Sequence, residues 1–87
     1  MNATSLAIPV QPDAGAIVGV DLAKNVFQLC VADAAWRPRE TQRLTRTQFE
    51  HWFANRAVAR VVMEACGSAH HWARWLAVLG IEVTLLP

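Results

Sequence analysis

The chain has 87 residues, 54% of them hydrophobic, with four Trp and a formal net charge of +1. That length holds one domain, which buries only about 60 to 65% of the surface its unfolded chain exposes, and so small a net charge does not announce a nucleic-acid partner by electrostatics alone. No run reaches the roughly 18 apolar residues needed to span a bilayer, no positive charge precedes an apolar stretch near the start, and Cys30 and Cys66 lack the spacing of a zinc site or disulfide framework. The expectation is a soluble cytoplasmic protein with two buried free thiols and no membrane partner.

Residues 1–15, with Pro9, Pro12 and Gly15 among small and polar residues, predict a disordered leader, so the folded domain is expected over 16–87. Residues 16–22 form a nearly continuous apolar run, which predicts a central strand covered on both faces. A second strand over 25–32 follows a tight connection and makes a hairpin with the first. Residues 33–38 are turn-like, and 39–44 alternate as an exposed third strand does.

Thr45 and Thr47 each have Gln48 or Glu50 three residues on, the capping-box pattern, and Phe49, Trp52 and Phe53 recur at helical spacing. A helix over 47–56 is predicted. A buried fourth strand over 60–65 leads to Gly67 and Ser68, a turn and an N-cap for a helix over 69–79 whose Trp72, Trp75, Leu76 and Leu79 share one face. Gly80 ends that helix, and 81–86 form a fifth strand.

The order β-β-β-α-β-α-β fits a mixed α/β sheet in which strands 1, 4 and 5 run parallel and strands 2 and 3 antiparallel, with strand 1 beside strand 4. Asp21 and Glu64 then sit near the carboxyl ends of adjacent strands, on the edge where open α/β sheets bind ligands. Paired carboxylates there suit a hard divalent cation and phosphoryl transfer, because magnesium takes carboxylate oxygens while keeping several waters. A strand-end Asp also caps turns, whereas a Glu after Val61, Val62 and Met63 buries part of a charge and needs a partner.

Seven of the eight basic residues are Arg, and Arg37, Arg39, Arg43, Arg46 and Arg56 fall between positions 37 and 56, which reads first as a solvated face and second as a candidate positive patch. Lys24 is a further candidate phosphate contact, or a solvated turn lysine. His70 and His71 open the second helix pointing apart, which disfavours a shared metal. Trp36, in a turn with Arg37, is the one tryptophan considered for base stacking.

Gly19-Val20-Asp21-Leu22-Ala23-Lys24 with Phe27 and Leu29, then the segment from Val62 to Arg74, then the segment from Leu79 to Pro87, together resemble the amino-terminal part of DEDD transposases of the one-ten insertion-sequence family, relatives of the Piv DNA invertases. The likeness covers residues 16–87. It implies a ribonuclease H-like, RuvC-like catalytic domain in which Asp21 and Glu64 are the first two of four acids that hold Mg2+ or Mn2+. The family's last two acids lie in a helix after the fifth strand, beyond these 87 residues, so the resemblance implies DNA cleavage and transfer by the complete protein and an inactive fragment with weak or no metal binding. DNA is the implied partner, with Lys24, Arg37, Arg39, Arg43 and Arg46 as candidate contacts. A structured guide RNA and a homo-oligomer are expectations for the full-length protein only.

Two alternatives stand beside this reading. Actin-like and sugar-kinase-like ATPases also end a first strand in Gly-Xaa-Asp, but their phosphate hairpins carry Gly and Thr where this chain has Ala23, Lys24 and Asn25. A transposase remnant or non-catalytic nucleic-acid-binding module with the same fold is the other.

Overall fold

A computed structural model describes residues 15–23, 25–54 and 56–87. The described elements are β1 (Ala16–Leu22), β2 (Phe27–Ala32), β3 (Pro38–Leu44), α1 (Arg46–Ala54), β4 (Val58–Glu64), α2 (Ala69–Val78) and β5 (Glu82–Leu86). All but Gly15 of the leader expected over 1–15 lies outside the described residues.

The strands form one sheet in the order β3-β2-β1-β4-β5. β1 pairs antiparallel with β2 and parallel with β4; β2 pairs antiparallel with β3, and β4 parallel with β5. Only β2 therefore runs against the rest. The expected mixed α/β sheet forms with β1 beside β4, but the expected direction of strand 3 is corrected: β3 reverses from β2 through a hairpin turn and so runs parallel to β1, β4 and β5.

Local chemistry sets the element ends. At α1 the reciprocal capping box belongs to Thr45 and Gln48: the Gln48 N–H donates to Thr45 Oγ1 at 3.3 Å and the Thr45 N–H to Gln48 Oε1 at 2.9 Å. The helix accordingly starts at Arg46, one residue before the predicted start. α2 closes on Gly80 at φ +85°, where the Gly80 N–H donates to the Ala77 carbonyl and the Ile81 N–H to the Leu76 carbonyl, the Schellman arrangement. β4 begins at Val58, earlier than expected, because Val58 pairs with Ala16 across the parallel ladder.

Both helices cover one face of the sheet. Phe27 of β2, Phe49 of α1 and Trp72 of α2 meet edge to face, with ring centroids 4.6 to 5.3 Å apart, and Val18, Leu29, Val61, Met63 and Leu76 fill the space around them. The shared side has a topological cause. The β3-to-β4 and β4-to-β5 connections join parallel strands and move the same way across the sheet, and right-handed crossovers moving one way fall on one face.

Among the described residues no helix covers the opposite face, which corrects the expectation that β1 is covered on both sides. Ala16, Val18 and Val20 are buried, whereas Ile17 and Gly19 are half-buried and Asp21 is exposed. Cys30 and Cys66 are likewise exposed rather than buried. Cys30 alternates with Leu29 and Val31 and so falls on the uncovered face, and Cys66 lies in the loop after β4.

Candidate active site

Register places the residues of the open face in cross-strand rows. Arg43 of β3 pairs with Gln28 of β2, and Gln28 with Asp21 of β1. The β1–β4 ladder is described up to Val20 opposite Met63; Asp21 and Glu64 are the next residue on each strand, and Glu64 in turn pairs with Leu86. The row across all five strands thus reads Arg43, Gln28, Asp21, Glu64, Leu86. Neighbouring strands lie about 4.8 Å apart, so the two carboxylates stand side by side at the carboxyl ends of two parallel strands.

They share one shallow groove of about 450 Å³, whose floor is Gly19, Val62 and Met63 and whose β2–β3 wall is Gln28, Cys30 and Thr41. At Gly19 an added Cβ would come no closer than 3.9 Å to its nearest neighbour, the Cys30 carbonyl, so the missing side chain leaves a dip in the floor. Asp21 and Glu64 are both exposed, and no hydrogen bond or ion pair ties either side chain to another described residue. The expectation that Glu64 buries part of its charge is corrected: β4 turns its last residue onto the face without helices.

Two exposed, unpaired carboxylates with room in front of them suit a hard cation that keeps its waters. Among the described residues no group of three or more His, Cys, Asp or Glu converges as a closed ligand set would. What these residues offer is two adjacent carboxylates open to solvent.

The arginines do not form the single patch that their sequence clustering suggests. Arg37 and Arg39 lie at the far end of β3 from Arg43, and both approach Asp33, at 3.1 and 3.9 Å. Arg56 bonds Glu40 at 3.1 Å and stacks over Trp52. Arg43, exposed and without an ion pair among the described residues, is the arginine in the carboxylate row. Arg46 lies over the Trp72 ring on the helix side of the sheet. Lys24 lies outside the described residues.

The β2–β3 turn is fixed by Asp33, whose Oδ1 accepts from the Ala35 and Arg37 N–H groups at 2.9 and 3.0 Å. Those bonds hold its carboxyl below the usual carboxylate range, the Arg37 N–H first, with the Ala35 N–H and the Arg37 charge adding to it. Trp36 sits in this turn at φ +66° and is 61% exposed.

Ser68 occupies the N-cap position of α2, but its hydroxyl makes no cap bond. Its φ and ψ of −95° and −7° are helical, which turns the side chain away from the N–H groups it would need to reach. Sequence reasoning passed over Gln28, Cys30 and Thr41, which line the carboxylate groove. Their signal was available in hairpin pairing combined with strand alternation.

No protein-family model matches the chain. It is 46% identical over 70 residues, 80% of its length, to the transposase for insertion sequence element IS1111A of Coxiella burnetii. It is 44% identical over 69 residues to a probable family 20 transposase of Pseudomonas aeruginosa, and 31% identical over 70 residues to the transposase for insertion sequence element IS1328 of Yersinia enterocolitica. The matched segment makes up 19%, 20% and 21% of those proteins, so the chain spans about a fifth of the length of the curated relatives it matches. These residues are homologous to part of insertion-sequence transposases. No described helix is long and apolar enough to cross a membrane.

Proposed function

We propose that these 87 residues carry the first half of the metal site of a DNA transposase that cuts and joins strands by divalent-cation-dependent phosphoryl transfer. The reading places them in a RuvC-like, ribonuclease H-like catalytic domain of the DEDD type. The observation that carries it is the placement of Asp21 and Glu64, each one residue past the Val20–Met63 pair at the carboxyl ends of β1 and β4, exposed and without side-chain partners among the described residues, in a segment homologous to part of transposases.

Asp21 and Glu64 would each give carboxylate oxygens to Mg2+ or Mn2+. Bound there, the cation supplies charge stabilisation for the oxygens of a phosphodiester undergoing in-line displacement. The chain's own contribution is placement: the parallel β1–β4 ladder holds the two carboxylates at fixed spacing, and the dip at Gly19 leaves room beside them. Arg43, two strands away in the same row, offers a cation to the strand that approaches.

With two acids of the tetrad, the 87 residues alone are catalytically silent, since loss of even one well-placed electrostatic group commonly costs about a hundredfold or more in rate. The test titrates the purified chain with Mn2+ and follows backbone amide signals. Paramagnetic broadening at Gly19, Asp21, Val62 and Glu64 at millimolar Mn2+ that disappears in the Asp21→Asn, Glu64→Gln double variant supports the site; broadening centred on other residues, or unchanged in the double variant, rejects it. Magnesium-dependent cleavage of branched DNA by this chain, lost in both Asp21→Ala and Glu64→Ala, would overturn the claim of silence.

A further inference from the structure

A second concavity lies at the same sheet edge, on the helix side. The β1–β2 turn, the start of α1 and the start of α2 enclose a cleft of about 570 Å³. Its floor is apolar, formed by Leu22 with the buried rings of Phe27 and Trp72, and its rim carries the exposed Asn25, Arg46, Ser68 and His71.

The charge around this cleft is one-sided. None of its lining residues is acidic, and neither α1 nor α2 has an acidic residue in its first turn. A helix amino terminus carries about half a positive charge, so acids are the usual occupants of that turn and a cation there is unfavourable. α1 nevertheless begins with Arg46 itself. Its guanidinium is 5.3 Å from the centroid of the Trp72 ring, and it has no carboxylate partner among the described residues. The Ser68 hydroxyl, free of any cap bond, has only a 3.9 Å approach to the Cys66 sulfur. Two helix amino termini, a stacked guanidinium, an imidazole and a hydroxyl therefore meet around one cleft with no acidic side chain among the described residues that line it.

We propose that the cleft binds a phosphate group, and that the group belongs to a nucleic-acid backbone. Arg46 supplies the charge-assisted contact, with Ser68, His71 and Asn25 as hydrogen-bonding partners. The choice of nucleic acid over free phosphate rests on the transposase reading; the phosphate chemistry does not. Leu22 in the cleft wall directly follows Asp21, so the site flanks the carboxylate groove across the end of β1 and would hold a strand beside the position where it is cut.

The experiment titrates the 87-residue chain, without divalent metal, with inorganic phosphate and separately with a six-nucleotide thymidine oligomer, following amide and indole N–H signals. Shifts at Ser68, Ala69, His71 and the Trp72 indole are expected with both ligands, with the oligomer binding more tightly. Arg46→Ala should weaken oligomer binding about tenfold and reduce the slope of log affinity against log salt by about 0.7, the loss of one single-strand phosphate contact.

His71→Gln, which leaves both helix starts intact, serves as the second variant. Oligomer binding unaltered in both Arg46→Ala and His71→Gln, or shifts confined to other surfaces, overturns the proposal. Cleft shifts with inorganic phosphate but none with the oligomer overturn the nucleic-acid assignment. Because no metal is present, failure here is separate from failure of the carboxylate site, which is read by Mn2+ broadening.

Discussion

Asp21 and Glu64 each extend their strand one residue past the last described pair of the β1–β4 ladder, Val20 with Met63, so two carboxylates face the same groove from adjacent strands. Like charges placed opposite one another across strands destabilise a sheet, by up to about 1 kcal/mol and less where solvent screens them, as it does here. Asp21→Asn or Glu64→Gln should therefore stabilise the metal-free chain by a few tenths of a kcal/mol, an effect that shrinks as salt rises. Urea denaturation at low and high ionic strength checks this. A loss of stability in both variants would show that the carboxylates support the fold.

The three-ring contact among Phe27, Phe49 and Trp72 ties β2, α1 and α2 together with Phe49 and Trp72 at 0% and 3% exposure. Truncating a buried Phe or Trp to Ala costs about 3 to 5 kcal/mol, and an 87-residue domain has a total stability of about 5 to 10 kcal/mol. Phe49→Ala and Trp72→Ala should each remove about 3 to 5 kcal/mol, a third or more of that stability. Urea denaturation reads the outcome, and a loss under about 1 kcal/mol for either variant would contradict it.

The two hydroxyls at helix starts should behave differently. Thr45 is one half of a closed capping box, and Thr45→Ala should cost about 1 kcal/mol. Ser68 makes no cap bond, so Ser68→Ala should change stability by no more than a few tenths of a kcal/mol. Denaturation midpoints of the pair measured side by side decide this; equal losses would mean that Ser68 caps α2 in solution.

Much of this fold was legible because its signals are local. The Thr45–Gln48 spacing, Gly80 after an apolar helix face, and the period-two pattern of β2 each act over a few residues, and strand order follows once crossovers are taken as right-handed. What was not legible is which face each strand buries. In β1, Gly19 counts as apolar in sequence and hides the alternation of Val18 and Val20 against Ile17 and Asp21, so the run reads as doubly covered. The same omission made Cys30 look buried and left Gln28 and Thr41 out of the groove. The arginine patch failed for another reason: Arg39 and Arg43 lie toward opposite ends of one extended strand, roughly 14 Å apart at about 3.4 Å per residue, although close in sequence.

Acid should weaken the tie between β3 and the segment that follows α1. Glu40 accepts from the Gln42 amide at 2.9 Å and pairs with Arg56 at 3.1 Å; the Gln42 hydrogen bond first, and then Arg56 by hydrogen bond and charge, hold its carboxyl below the ordinary glutamate value of 4.5 against a smaller opposing effect of burial. A carboxylate whose folded value is depressed contributes stability that is fully present above its unfolded value, here 4.5, and lost as pH falls from there through the lower folded value. Asp33 acts in the same direction from its ordinary value of 3.8 downward. Denaturant midpoints should therefore be flat near neutrality and decline below about pH 4.5, and Glu40→Gln should start lower and decline less steeply between pH 4.5 and 3. Parallel curves for the two proteins over that window would show that the Glu40 bonds do not persist in solution.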